Sequence, residues 1–419
     1  MIPVERTPGG HGGGQGGGSG GDADAFDWGH ADWLRTDAPE NDVVLSSRVR
    51  LARNLDGHPF ALRADPQDKA LVLDIVRAAL ARAGRLADLS GPFGDADLAA
   101  RTTAPRRGNS PVGPRLTEPM VWLDLHRLDR PTRDLLVERH QISKLMAKGD
   151  TPRAAAVSVP SERLSVMVNE EDHVRVQSLR AGFSLGDAMQ AANDIDDAIE
   201  QTVTYAFSPR WGYLTACPTN LGTGIRVSVM VHLPALRMRG DIEKVKRAAT
   251  DMSLAVRGFW GEGSEAEGDF FQLSNQTTLG KPERVILEEF EREIMPAVID
   301  YERRAREQLV TKQRDTLLDD ARRAAGLLAS ANLLGTGEAM SLLSRVRIGL
   351  VSGVLEPPDH LPGLTLDTVH ELMLLVHTAH LSKKVGRPLE VGERKRARSQ
   401  LVRDRLHGTP RHTGRQTGL

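Results

Sequence analysis

The stretch GIRVSVMVHLPAL, Gly224 to Leu236, alternates strictly. Ile225, Val227, Val229, Val231 and Leu233 face one way, and Arg226, Ser228, Met230 and His232 face the other. A period of two residues marks a β-strand that lays one face on a core. A strand that keeps polar groups on its second face belongs in an antiparallel sheet, because parallel sheets are buried on both sides. The reading is therefore α+β, an antiparallel sheet flanked by helices, with an arginine on the face turned away from the core.

The same pattern recurs in VVLSSRVRLARN, Val43 to Asn54. Val43, Leu45, Val49 and Leu51 share one face, and Arg48 and Arg50 share the other, roughly 7 Å apart at about 3.3 Å per residue. Two neighbouring guanidinium groups repel each other unless an anion lies between them, and guanidinium matches phosphate oxygens well. A solvated strand face is the plain alternative. Arg175, Arg226 and Arg257 also lie on or beside strand-like sequence. If these strands form one sheet, the five arginines converge on a triphosphate. Outside the glycine-rich N-terminus the chain has no Walker loop and no kinase-type GxGxxG, so phosphate binding rests on side chains.

In NEEDHVRVQ, Asn169 to Gln177, three carboxylates (Glu170, Glu171 and Asp172) interrupt the strand-like runs RLSVMV and VRVQSL. For an isolated acidic triplet a solvated turn is the ordinary reading. Opposite phosphate-binding arginines, these acids and Glu262 have another use: they hold a cationic acceptor in line with the polyphosphate.

The 419 residues leave room for two or three domains. A net charge of −1 advertises no polyanion, so nucleic acid is not an expected partner. The single cysteine, Cys217, excludes an internal disulfide framework and a cysteine-rich metal site. No run approaches the ~20 apolar residues of a membrane span, and the N-terminus lacks the apolar core of a secretory signal, so a cytoplasmic protein is expected. Residues 1–24 read as a glycine-rich flexible tail, 25–290 as the catalytic region and 291–408 as a separate helical domain, with a flexible tail at 409–419. Gly91 to Pro119 reads as a long loop. In DAMQAANDIDDAIEQTV, Ala188, Ala192, Ile195 and Ile199 share a helical face, with Asp187 as N-cap. Val369, Leu372, Met373 and Val376 in LDTVHELMLLVHTAH are spaced as helix core.

Five strings occur in one order: SSRVRLARN (Ser46–Asn54), LVERHQIS (Leu136–Ser143), NEEDHVRVQ, LTACPTNLGTGIRVSVMVHLPAL (Leu214–Leu236) and RGFWGEGSEAEGDFFQLSNQTTLG (Arg257–Gly280). Together they resemble the motifs of the ATP:guanidino phosphotransferases, most closely the bacterial protein-arginine kinases. The resemblance implies a guanidino-kinase catalytic domain that binds ATP with Mg²⁺, the metal held by nucleotide oxygens and water and not by named protein ligands. By carry-over, ATP is bound by Ser46, Ser47, Arg48, Val49 and Arg50, by His140 and Arg175, by Arg226, Val227, Ser228, Val229 and Met230, and by Arg257, Gly258, Phe259, Trp260, Gly261 and Glu262. Glu171, Glu262, Asp172 and Cys217 form the catalytic group. Glu171 and Glu262 clamp the acceptor guanidinium and Cys217 lies near it, while Asp172 and Glu170 position the loop or balance the arginines.

The small-molecule guanidino kinases carry a helical domain ahead of the first arginine motif. Here a short glycine-rich segment precedes it, which implies an open acceptor site suited to arginine displayed on a protein. The implied partners are protein substrates with exposed arginine, a Clp-type unfoldase that receives the tagged products, a zinc-binding activator, and a second copy of the chain through the helical region. The alternatives are a small-molecule guanidino kinase and a non-catalytic protein that binds phosphoarginine or nucleic acid. Protein-arginine kinases carry RDxxRA near the C-terminus, a phosphoarginine pocket. This chain has GERKRA, Gly392 to Ala397. Arg396 and Ala397 match, Glu393 replaces Asp, and Gly392 replaces the first Arg. The segment is either an altered pocket or a solvated basic helix face.

Overall fold

The computed structural model describes residues 31–87, 118–258 and 267–408. The expected N-terminal and C-terminal tails, most of the Gly91–Pro119 loop and Phe259 to Glu262 lie outside the described residues.

The strands are β1 (Val44–Arg53), β2 (Met120–Asp124), β3 (Ala154–Ser158), β4 (Leu164–Val168), β5 (Val174–Ala181), β6 (Phe207–Ser208), β7 (Gly212–Tyr213), β8 (Ile225–His232), β9 (Leu254–Gly258) and β10 (Phe270–Asn275). All but β6 and β7 join one antiparallel sheet in the order β2-β3-β4-β5-β1-β8-β10-β9. Strand β1 sits near the middle, between β5 and β8.

Local chemistry starts the helices. Helix α1 (Pro66–Arg82) opens with Pro66 and a reciprocal capping box between Asp65 and Asp68. The next helices are α2 (Arg130–Glu138) and α3 (Leu185–Glu200). Ala188, Ala192, Ile195 and Ile199 of α3 are buried, as their spacing requires. Asp187 is not the N-cap: the helix begins two residues earlier, after Ser184, and Asp187 lies in its first turn, where a carboxylate favours the helix dipole. Helices α4 (Pro234–Met238), α5 (Ile242–Asp251) and α6 (Glu283–Glu289) follow, and a π-helical turn leads into the long α7 (Met295–Ser330). Then come α8 (Thr336–Val351), α9 (Leu366–Leu375), α10 (Thr378–Val385) and α11 (Val391–Leu406). Among the described residues no helix is long and apolar enough to cross a membrane.

One sheet face carries the main core. Val49, Leu51, Val176, Val227 and Val229 pack there with α1 and α3. The other face is covered in two places. Val121, Val157 and Met167 lie under Leu136, Ile142 and Met146 around α2. Leu45, Leu179, Met230 and Phe270 lie under the C-terminal helices, with Met340 and Leu343 of α8. Between these covers the sheet stays open, and the arginines occupy the gap.

The placement of Leu45 corrects the simple alternation. It does not share a face with Val49 and Leu51, because a bulge between Val44 and Ser46 inserts an extra residue and turns Leu45 to the other side. The polar face of β8 is also less open than its pattern suggests: Ser228, Met230 and His232 are buried. The C-terminal helices share cores with the sheet. Phe290, Met295 and Leu309 join the main core, and α8, α9 and α11 close over Trp33, Leu45 and Phe270. Val369, Leu372, Met373 and Val376 are fully buried there.

Candidate functional site

The cleft between the two covers has a volume of about 370 Å³, in the range of small-ligand sites. Strand pairing fixes its cationic floor. Arg50 stands opposite Arg226 across β1 and β8, and Arg48 stands opposite Ser228. Arg175 comes from β5, and Arg257 from β9, opposite Gln272 of β10. All five arginines line the one cleft. The convergence that the sequence made conditional on a single sheet therefore occurs.

Arg48 is held in place: its Nε donates to Ser228 Oγ at 3.2 Å and its Nη2 to Gln272 Oε1 at 2.7 Å. Burial, with Arg226, Arg175 and Arg257 close by, pushes its pKa down to about 10. Arg50 falls well below its ordinary value through burial and the neighbouring Arg48, Arg175 and Arg226. Its Nε is buried and meets no acceptor. Crowded guanidinium groups with unused donors are relieved by an anion. A polyphosphate fits this floor. His140 lines the same cleft in a left-handed backbone conformation. Burial and the charges of Arg48 and His377 hold its pKa at about 3, so it stays a neutral donor or acceptor. Its carbonyl accepts from Gln177 Nε2 at 2.6 Å. The preceding Arg139 is buried against Glu162 at 2.8 Å, and Glu138 accepts from the first N–H groups of α10, Ala379 and His380.

The acids stand at the β4–β5 turn, as the flanking strand patterns predict. They divide their work. Glu170 is buried and ion-paired to Arg175 Nη1. Glu171 is half-exposed to the cleft and takes a longer contact of 3.4 Å from Arg175 Nη2. Burial raises the Glu171 pKa, Arg175 opposes the rise, and a hydrogen bond from the Cys217 thiol lowers it further. Cys217 also lies 3.0 Å from Thr219 Oγ1. Asp172 is wholly buried: its Oδ1 accepts from Asn54 Nδ2 and from the Ala216 N–H, both at 2.7 Å. It ties the acidic turn to β1 and to the segment carrying Cys217.

The remaining sequence candidates divide by strand face. Ser228 faces the cleft through Arg48. Val49, Val227 and Val229 lie in the main core on the opposite side. Ser47 belongs to the scaffold, donating to Gly182 O at 2.8 Å and accepting from Ser184 N at 3.0 Å. Ser46 and Met230 are buried, Met230 beneath the C-terminal helices, and Gly258 ends β9. Phe259, Trp260, Gly261 and Glu262 lie outside the described residues. The sequence reading missed Gln272, which orients Arg48, and Gln177, which holds His140. Their only signal was position: Gln272 sits in the alternating run FFQLSN, and Gln177 lies two residues after Arg175 and hence on its face.

Residues 116–305 match the family model described as ATP:guanido phosphotransferase, C-terminal catalytic domain. Residues 313–417 match that described as protein-arginine kinase McsB C-terminal domain. The protein-arginine kinase of Halothermothrix orenii is 36% identical over 375 residues, 90% of this chain and 96% of that protein. That of Symbiobacterium thermophilum is 39% identical over 374 residues, 89% of this chain and 96% of that protein. The two matched segments meet within α7, where Gln313 (φ −139°, ψ 32°) breaks the helical path. Among solved structures, the duplicated taurocyamine kinase from Schistosoma mansoni superposes with a TM-score of 0.50 at 24% identity, covering 66% of this chain and 35% of that one. That likeness is one of fold.

Proposed function

The chain belongs to the ATP:guanido phosphotransferase family, in its protein-arginine kinase branch, and on that premise we propose how its cleft works: it transfers the γ-phosphoryl group of ATP to arginine side chains of proteins. The observation that carries this reading is the juxtaposition in one cleft of five arginines with the Glu171–Cys217 pair.

The arginine floor takes the triphosphate. Arg48, held by Ser228 and Gln272, needs no reorganisation to meet it, and fixed donors aimed at developing charge are the largest source of stabilisation in phosphoryl transfer. Mg²⁺ would be held mainly by nucleotide oxygens and water, not by named protein ligands. Glu170 is engaged with Arg175 and Asp172 with backbone and amide donors, and among the described residues no group of three or more His, Cys, Asp or Glu is placed to hold a metal ion. The metal neutralises phosphate charge when bound.

Glu171 handles the acceptor. The arginine guanidinium is far more basic than a glutamate carboxylate, a gap on the order of 12 kcal/mol that forbids deprotonation in advance. Burial of Glu171 narrows the gap without closing it. Its work is alignment: the carboxylate orients the guanidinium so that one nitrogen attacks in line. The P–N bond forms as the bond from the γ-phosphorus to the bridging oxygen breaks. ADP leaves, and the guanidinium proton passes to Glu171 and on to solvent. Glu262 is the proposed second clamp. The modified proteins are proposed to pass to a Clp-type unfoldase in the cytoplasm, with a zinc-binding activator and a second copy of the chain as further partners.

The test is incubation with ATP, Mg²⁺ and an unfolded arginine-bearing protein, with phosphosites mapped under non-acidic conditions. The expected product is a phosphoramidate on arginine, labile to acid and stable to base. Phosphate confined to Ser, Thr or Tyr refutes the reading.

A further inference from the structure

The hairpin of β6 and β7 stands outside the large sheet, and its root is firmly fixed. Tyr213 bridges to Gly222, and the Arg53 guanidinium lies 3.7 Å from its ring centroid. Arg53 is itself buried and paired with Asp196 at 2.7 Å. Leu214 N donates to Ala206 O at 2.9 Å, and Ala206 N donates to Asn54 O at 2.7 Å. Asn54 is the residue whose amide holds Asp172, next to Glu171. The hairpin and the acceptor carboxylate therefore share one mount.

Its tip is open and displays two aromatic rings, with the exposed Arg210 guanidinium 4.6 Å from the Trp211 ring centroid. Phe207 is 58% exposed and Trp211 41% exposed, on opposite sides of the turn. Single exposed aromatics are ordinary. Here two rings project from one clamped hairpin, so their display costs little conformational entropy, the property that makes aromatics effective recognition anchors. The chain then runs directly to Cys217, Thr219 and Asn220 on the cleft wall. Trp211 stands six positions before Cys217, so the tip lies within about 20 Å of the acceptor side. That span equals about six residues of extended polypeptide.

We propose that the Phe207–Trp211 hairpin tip docks apolar residues of an extended protein substrate, within about six positions of the arginine that enters the cleft. The occupant is the substrate polypeptide, because the hairpin leads by a short span of chain into the wall of the cleft that its arginine must reach. The inference rests on the proposed function and deepens it. It gives the enzyme a contact that free arginine lacks, and it favours unfolded chains, whose apolar residues are exposed beside their arginines.

The experiment compares two synthetic peptides with one central arginine each, one flanked by Leu and Phe and the other by Gly and Ser. The full-length enzyme is assayed as wild type and as the Phe207→Ser/Trp211→Ser double variant. The double variant is expected to lose about tenfold in kcat/KM on the apolar-flanked peptide, carried by KM, and to stay within about twofold on the other. The KM for ATP stays unchanged. If the double variant melts early, Trp211→Ser alone, which keeps the Phe207–Tyr213 ring contact, is expected to give the same ordering. Equal losses on both peptides, or no loss on either, overturn the docking surface. A wild-type enzyme that phosphorylates free arginine but neither peptide gives a different result: it overturns the proposed function, and this inference with it.

Discussion

Arg50 and Arg226 stand directly opposite each other across β1 and β8, cation against cation on one face of the sheet. Folding tolerates this pair at a cost in stability. Arg50→Met keeps much of the bulk and removes one charge. The variant is expected to be more stable than wild type by about 1–2 kcal/mol in urea unfolding, the direction seen when crowded buried charges give way to apolar groups. Its affinity for ATP is expected to fall at least about tenfold. A destabilised Arg50→Met protein contradicts the assignment of strain to this pair.

Arg226→Ala removes the partner cation from the same floor. It is expected to weaken nucleotide binding and turnover together, since one guanidinium serves both the ground state and the transition state. Nucleotide titration beside steady-state kinetics checks this, and normal ATP affinity with lost turnover counts against it.

Glu171 sets a pH dependence. Burial raises its carboxyl pKa, Arg175 opposes that, and Asp172 and Glu170 add to the rise. The working form is the carboxylate, so turnover is expected to fail on acidification at a higher pH than an ordinary glutamate would give. Glu171→Gln is expected to keep ATP binding and lose at least about a hundredfold in transfer. The Cys217 thiol lowers the same pKa, so Cys217→Ala moves the acid limb upward. Stability carries the matching sign. A raised folded-state pKa contributes stability below the unfolded value that is lost as pH rises through the folded one. Glu171→Gln is therefore expected to gain on wild type at pH 8 and lose that gain on acidification. An acid limb that Cys217→Ala shifts downward contradicts the contact.

Asp172 acts through what it holds. Asp172→Ala leaves the Ala216 N–H without its buried acceptor, at about 1–3 kcal/mol, and takes from Asn54 Nδ2 one of two acceptors, the other being Leu214 O at 2.9 Å. Asp172→Asn keeps an oxygen there and is expected to recover most of that stability. Equal melting of the two variants argues against this role.

The altered C-terminal motif has a structural reading. Glu393, the counterpart of the motif's aspartate, is already taken by an arginine of the chain itself: Arg387 Nη1 and Nη2 donate to its two oxygens at 3.0 and 2.7 Å. It also accepts from Glu390 N at the start of α11. An incoming phosphoarginine finds its carboxylate occupied. Calorimetry on the full chain is expected to show weak or no phosphoarginine binding, and Arg387→Ala is expected to increase it. Tight wild-type binding that disappears in Arg396→Ala would show a working pocket.

Much of this was legible in the sequence because a strand writes its two faces in alternate residues. Arg48, Arg50 and Arg226 could be put on one working face, and the acids in a turn, before any coordinates. Three things were not written there. The bulge that turns Leu45 adds a residue without changing residue type, so alternation carries no mark of it. Adjacent acids look alike, so the split between Glu170, paired with Arg175, and Glu171, facing the acceptor, depends on the turn's conformation. Helical periodicity names a buried face but not what buries it. The spacing of Val369, Leu372 and Met373 could not tell that their core also receives Trp33, Leu45 and Phe270.

That shared core couples the two halves mechanically. Leu45, Leu179, Met230 and Phe270 come from strands that build the catalytic cleft, and they are roofed by α8, α9 and α11. Recombination that exchanged the last helices for those of a distant relative would bring a roof shaped for different strands. A change of volume at Phe270 is felt on α8, because close-packed interiors pass strain on to their neighbours. The shape of the cleft therefore depends on helices that contribute no residue to its floor.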